Sequence, residues 1–333
     1  MVLFNDQLNH SLSTIKKIML LYMKPALMVI YLGFLTPASA ANSEQWQAVE
    51  LKVDDGLPDS TVYSMAQDKD GFMWFGTTNG LARYDGYSFK VFRHDGADKN
   101  TLSNNNAGNI YLDSSNRLWI GTFGGGANVL NLNNGKIHRY PYSNSNLIDM
   151  IAENVQTFIQ DKLGNMWIGT GSGLYQLKGE TLKYYGRTTD DSNGINLSRV
   201  WDLEEDSDGH IWIGTSHGLS RLNVDTGVFS HFNLPDELTI NMSSNQFRTL
   251  QMVDDLLWIG SSTGLFSFNL ELEAFEQHST DSEGIKINDI HVDDEGQLLI
   301  ASMEGLYEFN PQSNAFKTNQ FDQIWQTYSH LDI

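Results

Sequence analysis

The side chains best suited to acid–base or metal chemistry in this chain are its nine histidines: His10, His94, His138, His210, His217, His231, His278, His291 and His330. No two stand at the spacing of a metal-ligand pair. His210 and His217 share one hairpin, and the strand turn between them separates them. Aspartate-rich turns, such as Asp206-Ser207-Asp208-Gly209 and Asp68-Lys69-Asp70-Gly71, offer oxygens to a calcium ion. The equivalent Asp113-Ser114-Ser115-Asn116 and Asp161-Lys162-Leu163-Gly164 lack that charge pattern, and no glutamate closes a twelve-residue loop. Turn formation accounts for both residue types, because aspartate bonds its own backbone and glycine accepts positive φ. Acidic neighbours such as Glu204-Glu205 point to opposite faces of a strand and make poor acid–base partners. There is no G-x-S-x-G elbow, and Gly124-Gly125-Gly126 lacks the following lysine and helix of a phosphate loop. The sequence therefore predicts no catalytic residue, no metal site and no cofactor.

What remains is recognition by loops. Three turn residues are candidates for contact with a small polar ligand such as an oligosaccharide: Phe123 by stacking on a sugar ring, His217 and Glu304 by hydrogen bonding. The long segments Asp95–Asn106, Ser143–Glu153, Thr188–Ser198 and Pro235–Asn245, rich in Asn, Ser, Asp and Thr, suit the same role.

The elements that position these residues follow from a repeat. Trp74-Phe75-Gly76-Thr77 returns as Trp119-Ile120-Gly121-Thr122, Trp167-Ile168-Gly169-Thr170, Trp212-Ile213-Gly214-Thr215 and Trp258-Ile259-Gly260-Ser261, and in eroded form as Leu299-Ile300-Ala301-Ser302. Steps of 41 to 48 residues with strand-like content are the spacing of β-propeller blades. In the fourth repeat, alternating Arg199–Glu205, the apolar run His210–Gly214, Leu219–Asn223 and Val228–Phe232 read as four antiparallel strands. Such a sheet is apolar on both faces and is stable only when stacked on neighbours. Each tryptophan is then a wedge between blades, its burial contributing about 2–3 kcal/mol. The glycine after it leaves room for a neighbouring backbone.

The expected fold is all-β, a propeller of four-stranded blades with six full repeats and parts of a seventh. Residues 45–53 resemble an outer strand. Residues 323–332, with Ile324-Trp325, match the first strand of a seventh repeat, which stops short of its second and third strands. An incomplete seven-bladed arc with open sheet edges, prone to aggregate, is the expectation.

Lys16, Lys17 and Lys24, the apolar run Ala26–Leu35 and the small-residue stretch ending at Ala40 compose a secretory signal, with cleavage after Ala40 and an uncleaved anchor as the alternative. Residues 1–40 are read as signal and 41–333 as propeller, placing the mature chain in the periplasm. The chain has no cysteine, and its net charge of −20 argues against nucleic acid or an anionic membrane face as partner.

The pattern D-x-x-G-x-[LM]-W-I-G-T-x-x-G-L resembles the two-component regulator propeller repeat. Asp55-Gly56-Leu57-Pro58, Gln67–Thr77 and Gly80–Gly86 are similar to that family's first blade, and the likeness runs over residues 45–332. The resemblance implies the periplasmic sensing part of a bacterial membrane receptor. A transmembrane helix and a histidine kinase or diguanylate cyclase output would then be partners outside this chain, and a homodimer is compatible with it. In some members of the family the ligand is a glycan fragment. The competing functions are a glycan-active enzyme such as a polysaccharide lyase, and a protein–protein scaffold.

Overall fold

The computed structural model describes residues 51–140, 154–186, 199–239, 246–278, 285–293, 296–302 and 304–318, and the backbone alone of Val2–Leu3, Lys16–Met19, Val29–Gly33 and Val49–Glu50. Six four-stranded antiparallel sheets follow one another along the chain. Blade one comprises Val62–Gln67, Met73–Thr77, Gly80–Tyr84 and Phe89–Phe92. Blade four comprises Val200–Glu205, Ile211–Thr215, Gly218–Leu222 and Phe229–Phe232. Blades two, three, five and six begin at Ala107–Leu112, Val155–Gln160, Phe247–Val253 and Ile287–Val292. The first strands of consecutive blades touch each other, so they are the innermost strands, around the axis.

The tryptophan wedge is observed blade by blade. Trp74 packs with Leu118 and Ile120 of blade two, and Trp119 with Phe158 and Ile168 of blade three. Trp167, Trp212 and Trp258 likewise join the clusters of blades four, five and six. The second strand is buried along its whole length, as its continuous apolar run requires. The glycine after each wedge is where blades approach most closely. A Cβ on Gly76 would lie 2.3 Å from the Gly108 carbonyl oxygen, and one on Gly169 would lie 2.6 Å from Val200 Cγ1.

A second device lies inside each blade. In blades one to four the turn aspartate accepts a hydrogen bond from the indole six residues on: Asp68 from Trp74, Asp113 from Trp119, Asp161 from Trp167 and Asp206 from Trp212, at 2.8–2.9 Å. Its other oxygen accepts backbone N–H groups of the turn. These carboxylates are thus committed to the hairpin. Blade five has Met252 at that place, ahead of a two-residue turn with Asp254 at φ 52°, and its Trp258 ring lies against His278 at a 43° tilt with centroids 4.9 Å apart. Blade six keeps Asp293 but carries Leu299.

Before blade one, Leu51 and Leu57 are buried against Val62, Met65 and Phe75. Val49–Glu50 pairs with Val2–Leu3, which continues through Val29–Gly33 to Lys16–Met19. The sequence places three of these four strands in the export signal. The seventh-repeat match at 323–332 lies outside the described residues. Among the described residues no helix is long and apolar enough to cross a membrane.

Candidate ligand-binding end of the propeller

Call upper the end where first strands begin and second strands run into third strands. The aspartate turns lie at the lower end. There, a cleft of about 360 Å³ between blades three and four is lined by Asp161, Lys162, Glu205, Asp208 and His210. Its polar groups already serve each other: Lys162 N–H donates to Glu205 Oε2 at 2.9 Å and Lys162 Nζ to the Asp206 carbonyl at 2.7 Å.

The upper end is set by an irregularity. In every blade the first strand slips register against the second near its start, between its first and third residues in five blades and between Ala107 and Ile110 in blade two. One residue bulges out of the ladder, and bulges re-aim side chains. The bulged residues are Tyr63, Gln156, Trp201, Arg248 and Asn288 in blades one, three, four, five and six, with Gly108 standing at this place in blade two.

The residue after the bulge stitches blade to blade. Ser64 Oγ donates to the Gly108 carbonyl at 2.9 Å and accepts from Ile110 N–H at 2.8 Å. Thr157 Oγ1 donates to Asp202 Oδ1 at 3.1 Å, Leu250 N–H to Asp202 Oδ2 at 2.9 Å, and Thr249 Oγ1 to Asp289 Oδ1 at 3.4 Å. Asp202 and Asp289 keep some accessible surface at the axis, yet protein crowds them on every side, and that crowding governs their acidity. Burial, opposed by hydrogen bonds from Leu250, Leu203, Thr157 and Thr249, pushes the Asp202 carboxyl up to about 6. Burial and the Asp202 charge push Asp289 to about 7 and Glu204 to about 8. Glu204 faces Met252 of blade five, whereas Glu205 meets Lys162 of blade three. The neighbours thus face apart as the alternation requires, but Asp202 and Glu204, two residues apart, share a face.

Above this belt, blades one and two are filled. The Phe123 ring centroid lies 5.3 Å from that of Tyr63, and the ring covers Gly108, where a Cβ would meet Phe123 Cε2 at 2.8 Å. The Asp95–Asn106 segment is bound to blade two. Arg139 donates to the carbonyls of Thr101 and Asp98 at 2.8 and 3.0 Å, and Leu102 is fully buried.

Blades four to six are different. The guanidinium carbons of Arg199 and Arg248 lie 4.6 and 4.7 Å from the Trp201 ring centroid. Arg248 Nε donates to Ser262 Oγ at 3.1 Å and its Nη2 to Gln246 Oε1 at 3.2 Å. Burial and the neighbouring Arg199 charge lower the Arg248 pKa; burial and Arg248 lower that of Lys286. Among the described residues no carboxylate pairs with any of these three cations. Trp201 Nε1 and Asn288 Nδ2 are buried donors without a hydrogen-bond partner.

Phe123, His217 and Glu304 all lie in upper-end turns of alternate blades, and they do not come together. Phe123 is half-buried against Tyr63. His217 is exposed, its Nδ1 2.9 Å from Ser216 Oγ, and Glu304 is exposed with its N–H donating to Ser302 Oγ. Segments 143–153, 188–198 and 240–245 of the long loops lie outside the described residues. The bulge set was missed from sequence, although its signal was present: one position per repeat changes chemistry between an apolar residue before it and a polar residue after it.

Residues 56–79, 101–124, 149–172 and 194–217 match the family described as two component regulator propeller. A histidine kinase P4 of Formosa agariphila is 35% identical over 75 residues, which are 22% of this chain and 6% of that protein. The extracellular domain of a hybrid two component system from B. thetaiotaomicron is 26% identical with a TM-score of 0.68, over 81% of this chain and 36% of that one. A streptogramin B lyase, 15% identical with a TM-score of 0.59 over 79% of this chain and 84% of its own, shares the fold alone. The chain thus spans about a third of the sensor domain's length and a small part of the kinase.

Proposed function

We propose that this chain, built from two-component regulator propeller repeats, is the non-catalytic ligand-sensing part of a bacterial membrane signalling receptor, exported to the periplasm. The observation that carries the reading is the upper-end bulge set, in which one scaffold places a different polar or aromatic residue at the same point of five of its six blades, on the strands around the axis. Likeness to the extracellular domain of a two component system supports it. Phe123 contributes an aromatic surface and His217 and Glu304 polar rim groups. The ligand is a small polar molecule, an oligosaccharide in the leading version. Binding shifts the placement of the rigid propeller relative to the remaining receptor, where the output module lies. Export follows from the signal-like residues 1–40.

The test is direct. The chain is expressed in a Gram-negative host and fractionated, and the mature N-terminus is sequenced. A periplasmic protein beginning at Ala41 supports the reading; a cytoplasmic protein retaining Met1 overturns the export part. An oligosaccharide panel is then screened by thermal shift with product analysis. Stabilisation without turnover is expected. Depolymerisation of any panel member would favour a lyase.

A further inference from the structure

We infer that the upper end of blades four to six is an oxyanion site. It takes a carboxylate or sulfate group borne on a hydroxylated ring, so that the sensed saccharide is an acidic one. This rests on the ligand-sensing reading above and adds the chemical class.

The argument is one of unmet demand. Arg199, Arg248 and Lys286 gather in a chain whose net charge is −20, and no described carboxylate answers them. Arg248 and Lys286 lose hydration where they sit, and the charge of Arg199 adds to the cost at Arg248 as that of Arg248 does at Lys286. Arginine on an indole face gains a cation–π contact, but two arginines around one indole also repel. The two buried polar atoms here that lack partners, Trp201 Nε1 and Asn288 Nδ2, are both donors. Every unfilled requirement is therefore for an acceptor, and preferably a negative one. Among the described residues the second terminal nitrogen of Arg248 has no partner, while Ser262 and Gln246 fix the plane of its guanidinium. A fixed guanidinium is suited to two-point binding of a carboxylate or sulfate. Beside it the indole offers a flat face and Asn288 a donor for ring hydroxyls. The like-placed Tyr63 and Gly108 of blades one and two offer none of this, which localises the site to one side of the axis.

The experiment is isothermal titration of the purified chain with trigalacturonate, its fully methyl-esterified form, a neutral trigalactoside and a 4-sulfated chondroitin disaccharide. Binding of an acidic compound is expected, with the ester weaker by about tenfold or more. Arg248→Gln and Arg199→Gln should each weaken it by about tenfold, and Lys286→Gln by less. Affinity should fall as salt rises. The change in tryptophan fluorescence on binding should be lost in Trp201→Phe. Carboxylate and sulfate arms show which oxyanion is preferred. Circular dichroism and melting verify that each variant is folded. Equal binding of acid and ester, or undiminished affinity in folded Arg248→Gln and Lys286→Gln proteins, overturns the inference. If only the neutral sugar binds, the acidic class falls while the sensing function stands. If no compound binds and inorganic sulfate leaves the melting temperature unchanged, both fall.

Discussion

At the upper end of blades one and two the bulge positions hold Tyr63 and Gly108, and Phe123 lies against both. At blades four to six the same positions hold Trp201, Arg248 and Asn288, flanked by Arg199 and Lys286. The frame beneath is alike in blades one, two, four and five, a tryptophan wedge followed by a close-approach glycine, whereas blade six carries Leu299 and Ala301 there. One side closes its axial mouth with aromatic packing. The other leaves charges and donors unanswered and, just below, buries carboxylates. Both sides hold buried polar atoms without partners, Thr78 Oγ1 and Asn106 Oδ1 on one and Trp201 Nε1 and Asn288 Nδ2 on the other, but only the second sets its unanswered donors beside a cluster of cations.

The largest effect expected is on pH. Asp202, Asp289 and Glu204 titrate near 6, 7 and 8 when folded, above their ordinary values, so the folded state binds more protons than the unfolded between about pH 4 and 8. Stability should therefore fall as pH rises through this window, because the proton each carboxyl binds more tightly in the folded state is lost there. Melting temperatures across pH 5 to 8.5 measure it. Asp289→Asn should flatten the curve and raise the high-pH end, whereas Ser64→Ala in blade one should leave its slope alone. An unchanged slope in Asp289→Asn would break the comparison.

Next comes the frame both sides share. Asp113→Ala in blade two and Asp206→Ala in blade four each strand a buried indole N–H and two turn amides. Each should cost about 3 kcal/mol in denaturant unfolding, and a large difference between them would show that the frame is not common. Gly169→Ala, driving a methyl into Val200, should cost about 1–3 kcal/mol.

Smaller again, Phe123→Ala should cost about 2 kcal/mol, since it uncovers Tyr63 and Gly108 together. The smallest effect has the opposite sign. Lys286→Gln relieves a cation beside Arg248 and should raise stability, by at most about 0.5 kcal/mol after solvent screening. That gain should vanish in sulfate, which answers the charge in the parent chain.

Much of the frame was legible because period and alternation report burial directly. The first strands at Val62, Val155, Phe247 and Ile287 begin where the alternation places them, and Trp74 through Trp258 fill the inter-blade space their size demands. In blade two the strand begins at Ala107, two residues before the alternation becomes readable at Asn109, because small residues there hide the pattern. The Asp–Trp tie is not legible, since it spans a hairpin whose geometry the five intervening positions do not reveal. Asp202 and Glu204 escape a search for adjacent acids, because a strand brings i and i+2, not i and i+1, to one face, and Asp289 escapes because it meets the Asp202 charge only across blades. The axial site escapes for a related reason. A bulge adds a residue without breaking the apolar rhythm on either side, so Trp201 and Arg248 read as ordinary strand residues.

That extra residue has a consequence for how such a protein diversifies. Because it stands outside the ladder and the wedge, its side chain can change with little effect on either wherever there is room, and each such repeat can acquire a separate specificity without relearning how to fold. Gly108, pressed beneath Phe123, is the exception; the other five positions behave as exchangeable fingertips on a common hand, and a new taste in ligands needs only that one of them be replaced.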